Sequence, residues 1–306
     1  MARRSRPTLR QLEYLLAVAE TLNFRAAAAA SHVSQPALSQ QIRLLEEQLG
    51  VTLLERDKRS TRLTRAGEIV VGQARAVLAD VDGLVDAALG QGEPLAGTLR
   101  LGAIPTVAPY LLPGLLRGAA ERHPRLRVVV QEAQTSSLLE GLRVNRVDVA
   151  LLALPQKGFA SRPLFDEPFL LVAPACHALA HKASVKKADL RRQPLLLLDD
   201  GHCLREQALS FCDGTGVTPV SDVRAASLAT LVQLVAAGLG VTLLPAIAAA
   251  VEVPEGAGLV VRPFTKPAPR RTIGLVWRTT SPRGTEYAML AETAQKSLPR
   301  GAAARD

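Results

Sequence analysis

The first fifty residues carry the hydrophobic pattern of three successive helices. Four apolar residues follow the i, i+3, i+4, i+7 spacing of an amphipathic helix: Leu12, Leu15, Leu16 and Ala19. Asn23 then caps a second helix, whose alanine run at 26–30 combines high helix propensity with small side chains. The pattern therefore predicts two short helices that cross closely.

The third helix is predicted to begin at the cap Ser34, with Pro36 in its first turn, and to end at Gly50. Its inward positions are apolar: Leu38, Ile42, Leu45 and Leu49. We assign DNA contact to its first turn and outward face: Ser34, Gln35, Pro36, Ala37, Ser39, Gln40 and Arg43. Two helices joined by a tight turn with such a face make a helix-turn-helix, although an ordinary three-helix surface has the same periodicity.

Two short strands, 51–55 and 61–63, are predicted to follow and to enclose a basic loop. The loop contains Arg56, Asp57, Lys58, Arg59 and Ser60. This arrangement is typical of a DNA-binding wing, and Arg56 joins the predicted DNA contacts. Residues 1–65 hold 11 Lys/Arg against 6 Asp/Glu, which places +5 of the formal net charge of +9 there. Such an excess suits phosphate contact, so 1–63 is predicted to be a winged helix-turn-helix domain.

A long helical segment is predicted over 64–92. Apolar residues repeat in it at alternating steps of four and three: Val70, Ala74, Val77, Val81, Leu84 and Ala88. The simplest use of such a heptad stripe is to pair two chains. The alternative, packing on the chain's own domain, is weaker because the glycine-rich stretch 90–97 is typical of a flexible boundary.

From residue 93 onward, predicted strands and helices alternate, which favours an α/β domain with a largely parallel sheet. The first set comprises strand 98–104, a helix to about 120, strand 126–131, helix 136–145 and strand 147–153. The second set runs from 169 and includes strand 221–225, helix 228–237 and strands 241–244 and 259–263, before strand 272–277 and a C-terminal helix. We expect two lobes, about 98–167 with 273–306 and about 168–272, with a cleft between them. Thr106 and Thr135 fall at strand ends, where ligands bind in such sheets, although both are also possible helix caps.

The segment 199–213 holds two of the three cysteines. It follows the apolar run 195–198, which is predicted as a buried strand, and 199–201 supply turn and cap residues for a helix that begins near Cys203. A thiol at a helix N-terminus beside His202 and Arg205 has reason to be partly thiolate, so Cys203 is a candidate nucleophile. Cys212 lies roughly 13 Å further along such a helix, so the two sulfurs can bond only if the helix unravels. The alternative is that both cysteines are small buried hydrophobes.

Composition sets the class of protein. A chain of 306 residues with 48% hydrophobic and 21% charged residues is globular and long enough for two or three domains. It has no apolar run of membrane-spanning length and no secretory signal pattern, so we expect a cytoplasmic protein with no membrane partner. Three cysteines make no secreted disulfide framework, and a disulfide in a reducing compartment would be regulatory. The group Cys176, His177 and His181 is a poor zinc site, and no metal or other cofactor is predicted.

The helix-turn-helix segment 28–47, with Ser-Gln-Pro-Ala-Leu-Ser-Gln-Gln-Ile at its centre, resembles that of the LysR-type transcriptional regulators. Five further stretches resemble the peroxide-sensing members of that family: 104–107, 109–113, 132–135, 200–212 and 269–276. The resemblance covers nearly the whole chain. It implies a fold that is α/β with an all-α winged helix-turn-helix head, a long linker helix and a two-lobed α/β regulatory domain like periplasmic binding proteins.

The resemblance also implies roles for particular residues. Cys203 would be the peroxidatic cysteine and Cys212 the resolving one, while Thr106, Thr135, His202 and Arg271 match the family's peroxide pocket. Arg270 and Arg271 are adjacent, and the motif alignment favours Arg271. The implied partners are double-stranded promoter DNA, hydrogen peroxide, further copies of the chain in a dimer of dimers, RNA polymerase, and a thiol reductant such as glutaredoxin or thioredoxin.

Two other classes of function compete with a peroxide-responsive regulator. The first is a LysR-type regulator whose cleft binds a small organic effector and whose cysteines are structural. The second is an enzyme, a thiol peroxidase, but an enzyme would have little use for a DNA-reading head and a heptad stripe. We therefore expect a regulator and not an enzyme.

Overall fold

The computed structural model describes residues 6–56, 61–89, 94–214, 216–220, 224–298 and 303–304. The chain divides into two units. The first unit comprises Met1–Glu93 with Arg143–Arg146, and the second comprises Pro94–Leu142 with Val147–Asp306. Each unit is described by itself below.

Three helices form the head of the first unit: α1 (Leu9–Thr21), α2 (Phe24–Ala30) and α3 (Gln35–Leu49). The predicted caps are confirmed, because the Asn23 side chain accepts from the amides of Arg25 and Ala26 and Ser34 accepts from Ala37. Gly50 ends α3 with a φ of 71°, a left-handed conformation that favours glycine. The three inward leucine and isoleucine positions Leu38, Ile42 and Leu45 are fully buried in the head core.

The wing strands β1 (Leu54–Arg56) and β2 (Thr61–Leu63) pair antiparallel. The first begins at Leu54 rather than at 51 as predicted, and Glu46 on α3 holds the backbone where the strand begins. Its Oε1 accepts from the amides of Leu53 and Leu54 at 2.8 and 3.1 Å. The predicted loop residues 57–60 lie outside the described residues.

The long helix predicted over 64–92 is confirmed as α4 (Arg65–Leu89), and residues 90–92 lie outside the described residues. Its heptad stripe has two parts. Ala74 is 2% exposed and Val70 is partly buried, and both pack in the core of the head. This part of the stripe therefore packs on its own domain, which the sequence had made the weaker alternative. Val77 and Leu84 are 42% and 70% exposed. Only the later part of the described stripe is therefore free to pair two chains.

The second unit is built on a mixed sheet with the order β10-β6-β11-β5-β3-β4. Its strands are β3 (Gly97–Ala103), β4 (Leu126–Glu132), β5 (Val149–Leu154), β6 (Ala160–Pro174), β9 (Thr242–Pro245), β10 (Leu259–Pro263), β11 (Arg270–Trp277) and β12 (Ala303–Ala304). Strands β3, β4 and β5 are parallel, but β6, β9, β10, β11 and β12 add antiparallel pairs, which are the majority. The prediction of a largely parallel sheet is therefore wrong, because the alternation of strands and helices does not fix the direction of every strand. Three helices contribute residues to the core of the first lobe: α5 (Ala108–Arg122), α6 (Thr135–Arg143) and α10 (Gly284–Lys296).

Strand β6 belongs to both lobes. Its first part pairs with β11, and its second part pairs with β9 and β10. The second set was predicted to start at Phe169, but the strand that contains Phe169 already begins at Ala160 and continues through the polar residues Asp166 and Glu167. Two hydrophobic cores result, one around Phe165 and Tyr287 and one around Phe169 and Leu171, which confirms the two-lobed architecture.

The second lobe is completed by β7 (Pro194–Leu195), α7 (Cys203–Cys212), β8 (Thr218–Pro219), α8 (Leu228–Ala236), α9 (Ala246–Glu252) and two 3₁₀ helices (Ala178–His181 and Lys187–Leu190). The strand predicted over 195–198 is mostly irregular, although all four leucines are buried. Single bridges tie it to neighbouring segments, Leu195 to Val241 and Leu198 to Ala225. Of the predicted strand 221–225, residues 221–223 lie outside the described residues. Helix α9 was not predicted.

Among the described residues, no helix is both long and apolar enough to cross a membrane.

The head core gives a test with two neighbouring leucines on α3. Leu45 is 0% exposed and Leu44 is 37% exposed. Leu45→Ala leaves a cavity and should lower the stability of the head by about 2–5 kcal/mol, measured by hydrogen exchange of the α1–α3 amides in the full chain. Leu44→Ala is the matched control and should change these protection factors little. Equal losses in both variants would contradict the assigned face of α3.

Candidate functional site

The loop before α7 is held against the loop that joins β4 to α6. Gln134 Nε2 donates to the Asp200 carbonyl at 3.2 Å. Gly201 follows with a φ of +88°, and a Cβ at this position would collide with the Gln134 side-chain amide. The positive φ favours glycine there, and its lack of a Cβ lets the Gln134 amide approach closely. The contact ties the start of the cysteine helix to the first lobe.

Helix α7 begins at Cys203, as predicted, but its N-cap is His202 and not one of 199–201. The two cysteines at its ends belong to different cores. Cys203 is partly buried and packs against the core of the first lobe, whereas Cys212 is 2% exposed within the core of the second lobe. Both are reduced cysteines, not joined in a disulfide, on an unbroken helix. A disulfide between them therefore requires the helix to unwind, as the spacing predicted.

The charges expected beside Cys203 are largely cancelled. His202 is 7% exposed, and burial lowers its pKa below the ordinary value, more than nearby Asp199 raises it. An imidazole in this environment is neutral at pH 7. The Arg205 guanidinium forms an ion pair with Asp200 (Nε to Oδ1, 3.0 Å) and donates to the Leu198 carbonyl. The expectation of two cations that favour the thiolate is thus wrong for His202 and weakened for Arg205, which leaves the α7 N-terminus as a source of positive potential.

Cys212 is set up to stay protonated. Burial raises the pKa of its thiol to about 11, against the smaller opposing effect of Lys187. The Lys187 ammonium lies 5.5 Å from the ring centre of Phe211, the neighbour of Cys212. In the helical state the second sulfur is therefore a poor nucleophile.

The structure decides between the two adjacent arginines. Side chains alternate across β11, and Arg270 is exposed while Arg271 is 4% exposed. The Arg271 guanidinium makes three hydrogen bonds. Its Nε donates to Glu167 Oε2 at 2.7 Å, and its Nη1 and Nη2 donate to the Thr106 hydroxyl and carbonyl at 2.9 and 3.2 Å. Arg271 and Thr106 are thus brought together, as predicted.

Glu167 is part of this cluster and was missed by sequence reasoning. Its side chain is 0% exposed. A signal was present, because Glu167 directly precedes the apolar run 168–174, and a carboxylate drawn into a buried strand needs a partner. Which partner it takes depends on the pairing of β6 with β11, and the sequence does not give that register.

The two threonines differ in their surroundings. Thr106 is buried and accepts from Arg271, and it does not cap α5, whose N-cap is Val107. Thr135 is the first residue of α6, and its hydroxyl oxygen is buried with no hydrogen-bond partner among the described residues. Each follows a parallel strand, β3 or β4, at the sheet edge where ligands bind.

The predicted DNA-contacting residues of α3 form an accessible face of the first unit. Ser34, Gln35, Pro36, Ala37, Gln40 and Arg43 are exposed, and Ser39 is partly exposed. Leu38 and Ile42 anchor the opposite face in the head core. Arg56 ends β1, opposite Thr61. A helix presented in this way is the recognition element of a helix-turn-helix domain.

Cys176 is exposed, and its neighbour His177 is already engaged. The His177 Nδ1 accepts from the Leu179 amide, and its Nε2 lies 3.2 Å from Gln193 Oε1. Within the described part of the chain, no group of three or more His, Cys, Asp or Glu side chains is placed to hold a metal ion.

A winged helix-turn-helix head together with a two-lobed α/β domain defines the class: a transcriptional regulator that carries both parts in one chain. Family models agree over most of its length. Residues 9–68 match the bacterial regulatory helix-turn-helix protein model of the lysR family, and residues 92–298 match the LysR substrate binding domain. The chain belongs to the LysR family of transcriptional regulators.

Individual relatives show which members of the LysR family this chain resembles. A "probable hydrogen peroxide-inducible genes activator" of Streptomyces viridosporus is 50% identical over 97% of this chain and 96% of its own. A full-length OxyR variant from Pseudomonas aeruginosa is 36% identical, with a TM-score of 0.82 and 99% of each chain covered. A cysteine-to-serine mutant of Corynebacterium glutamicum OxyR, described as H₂O₂-bound, is 38% identical, with a TM-score of 0.66 over 96% of this chain and 94% of that one.

The different surroundings of the three thiols predict an order of alkylation. At pH 8, iodoacetamide should modify exposed Cys176 first, partly buried Cys203 next and Cys212 last, because Cys212 is buried and has a pKa of about 11. Peptide mapping against time measures the order. Unfolding the chain in urea should remove the protection of Cys212 and is the control. Early labelling of Cys212 in the folded protein would contradict its placement in the second core.

Proposed function

We propose that this protein is a DNA-binding transcriptional regulator that senses hydrogen peroxide through Cys203. The observation that carries the proposal is the placement of two thiols at opposite ends of α7 and in two different cores. Oxidation that joins them cannot leave the fold unchanged, which is what a switch requires. The peroxide-inducible activator and the OxyR structures that the chain resembles support this reading.

The proposed peroxide pocket contains Thr106, Thr135, His202 and Arg271. The Cys203 thiolate attacks one peroxide oxygen, so the S–O bond forms as the O–O bond breaks and hydroxide leaves, later taking up a proton to become water. Donors from Thr106, Thr135 and Arg271 would stabilise charge on the leaving oxygen. Neutral His202 would act through hydrogen bonding rather than as a cation.

The sulfenic acid on Cys203 then condenses with the Cys212 thiol, which gives the disulfide and one water molecule. For this step the residues of α7 must unwind, and Cys212 must leave the core of the second lobe. Packing around Leu204 and Ala208, which are buried on the same helix, must change with it. We propose that this rearrangement alters how copies of the regulatory domain assemble, as a dimer of dimers, and so how the heads engage promoter DNA.

In the head, Gln35, Ser39, Gln40 and Arg43 would read base edges while Ser34, Pro36 and Ala37 seat the first turn of α3 against the DNA. Arg56 in the wing would contact phosphate.

RNA polymerase would be the partner at the promoter, and a thiol reductant such as glutaredoxin or thioredoxin would return the disulfide to thiols. We propose that the protein acts in the cytoplasm, where bacterial promoter DNA lies. We also propose that it is not an enzyme, because a regulator does not need to convert substrate in repeated catalytic cycles. The proposed domains are 1–63, 64–92 and 93–306, with lobes of about 98–167 with 273–306 and about 168–272.

Variants of the two cysteines test the proposal. Cys203→Ser should abolish the response to micromolar peroxide, whereas Cys212→Ser should still form a sulfenic acid that dimedone traps but no disulfide locks. Mass-spectrometric mapping of dimedone and disulfide peptides reads both outcomes, and Cys176→Ser is the control that should leave both intact.

Labelling of Cys212 by dimedone in Cys203→Ser would contradict the assigned roles. If peroxide changed neither cysteine in the parent protein while a small organic molecule shifted its DNA footprint, the effector-binding alternative would replace the proposal.

DNA binding offers a second test. Arg56→Ala should weaken binding to all DNA sequences alike and reduce the salt slope by about one, because it removes a phosphate contact. Gln35→Ala or Ser39→Ala should change which sequence is preferred, at a cost of about 1–3 kcal/mol on the native operator. Affinities for operator and scrambled DNA across a salt series separate the two.

Arg117, an exposed arginine of the regulatory domain, provides the matched control, since Arg117→Ala removes the same charge outside the head. It should leave specificity and salt slope unchanged. Equal loss of specificity from the Arg56 and Gln35 variants would refute this division of roles.

A further inference from the structure

Glu167 is a buried carboxylate that links two elements of the regulatory domain, strand β11 and helix α9. It lies on β6 directly across from Arg271 on β11. Its Oε2 accepts from Arg271 Nε at 2.7 Å, and its Oε1 accepts from the backbone amide of Ile247 at 3.0 Å. Ile247 lies in the first turn of α9, yet its side chain is buried in the core of the first lobe. Both carboxylate oxygens are therefore fixed by rigid elements.

The bond to Nε determines where the rest of the guanidinium points. A guanidinium is planar, so fixing Nε along one edge fixes the directions of the Nη hydrogens. In this structure those hydrogens meet the hydroxyl and carbonyl of Thr106. The ring of Phe169 closes one side, with its centre 5.9 Å from the guanidinium carbon. Arg271 is thus held in one orientation by Glu167 on one side and by Thr106 on the other.

The same carboxylate offsets the charge of Arg271. Both side chains are almost fully buried, 1% exposed for Arg271 and 0% for Glu167. A buried arginine without a partner is strongly unfavourable, whereas a paired one is tolerated. As a neutral pair with Glu167, Arg271 acts on the proposed pocket through directed N–H groups rather than through net charge. The orientation of those groups is then what matters for the reaction.

We propose that Glu167 is a positioning residue for the reaction of Cys203 with hydrogen peroxide and that it acts through Arg271. This inference rests on the proposed function. Glu167 takes no part in the bond changes: sulfur gives its electron pair to one peroxide oxygen, and the other leaves as hydroxide. Its role is to keep the Arg271 and Thr106 donors aligned while charge develops on that leaving oxygen.

Glu167→Gln is the decisive variant. Glutamine keeps the shape, but its amide nitrogen carries hydrogens, so it can accept at only one of the two places where the carboxylate accepts. In a Cys212→Ser background, the rate constant for dimedone-trapped sulfenic acid at Cys203 should fall about 10- to 100-fold. The rate of Cys203 alkylation by iodoacetamide, which needs no leaving hydroxide, should stay within about twofold. Both are read at the Cys203 peptide by mass spectrometry.

Asp166→Asn is the matched control. Asp166 neighbours Glu167 on β6 and accepts from the Thr272 hydroxyl at 2.7 Å, away from Arg271. Both rates should remain within about twofold of the parent. If Glu167→Gln slowed alkylation as much as peroxide oxidation, or slowed neither, the positioning role would be overturned.

A double variant guards against misfolding of the single one. Arg271→Gln with Glu167→Gln contains no buried charge and should fold at least as well as Arg271→Gln alone. In the Arg271→Gln background, Glu167→Gln should slow peroxide oxidation no further, because the residue through which it acts is absent. A further slowing of tenfold would overturn the proposal.

The same experiment separates failure of the proposed function from failure of this inference. A Cys212→Ser parent that forms no sulfenic acid would refute the proposed function, and the inference with it. A reactive parent with an unaffected Glu167→Gln variant would refute only this inference.

Discussion

The regulatory domain depends on one constraint: a continuous helix separates the residues at its two ends, Cys203 and Cys212, by a rise of roughly 13 Å along its axis. In α7 the constraint is reinforced by packing, because Cys203 contacts the core of the first lobe and Cys212 lies inside the core of the second. The backbone hydrogen bonds of α7 and two hydrophobic cores therefore oppose the same covalent bond. A disulfide between Cys203 and Cys212 can form only if the hydrogen bonds of α7 break and the packing of both cores changes.

The residues proposed to form the peroxide pocket around Cys203 come from distant parts of the chain. Thr106 and Thr135 follow parallel strands of the first lobe, and Arg271 lies on β11, which pairs with the strand that both lobes share. The contact between Gln134 and the Asp200 carbonyl fastens the loop before α7 to the first lobe. The site is therefore assembled at a place where three elements are already fixed by sheet register, a common way to hold side chains to the tolerance that a reaction needs.

Sequence reasoning recovered the elements and their order well where periodicity is strong. The caps Asn23 and Ser34, the end of α3 at Gly50 and the start of α7 at Cys203 all follow from local signals. It failed where tertiary contacts decide. The wing strand β1 starts at Leu54, where the Glu46 side chain from α3 binds the backbone, and the leucines at 195–198 are buried without forming a regular strand. The neutral state of His202 and the role of Glu167 depend on burial and on cross-strand register, which one sequence does not reveal.

In the proposed switch, the burial of Cys212 also gives the domain a preferred direction of recovery. Once the sulfurs are separated by reduction, rewinding of α7 returns an apolar side chain to a close-packed interior, and a thiol with a pKa of about 11 regains its proton there. In that scheme the reduced fold is the state to which α7 returns once a thiol reductant has cleaved the bond. The response would then last until reductant reaches the disulfide, whether or not the oxidant is still present.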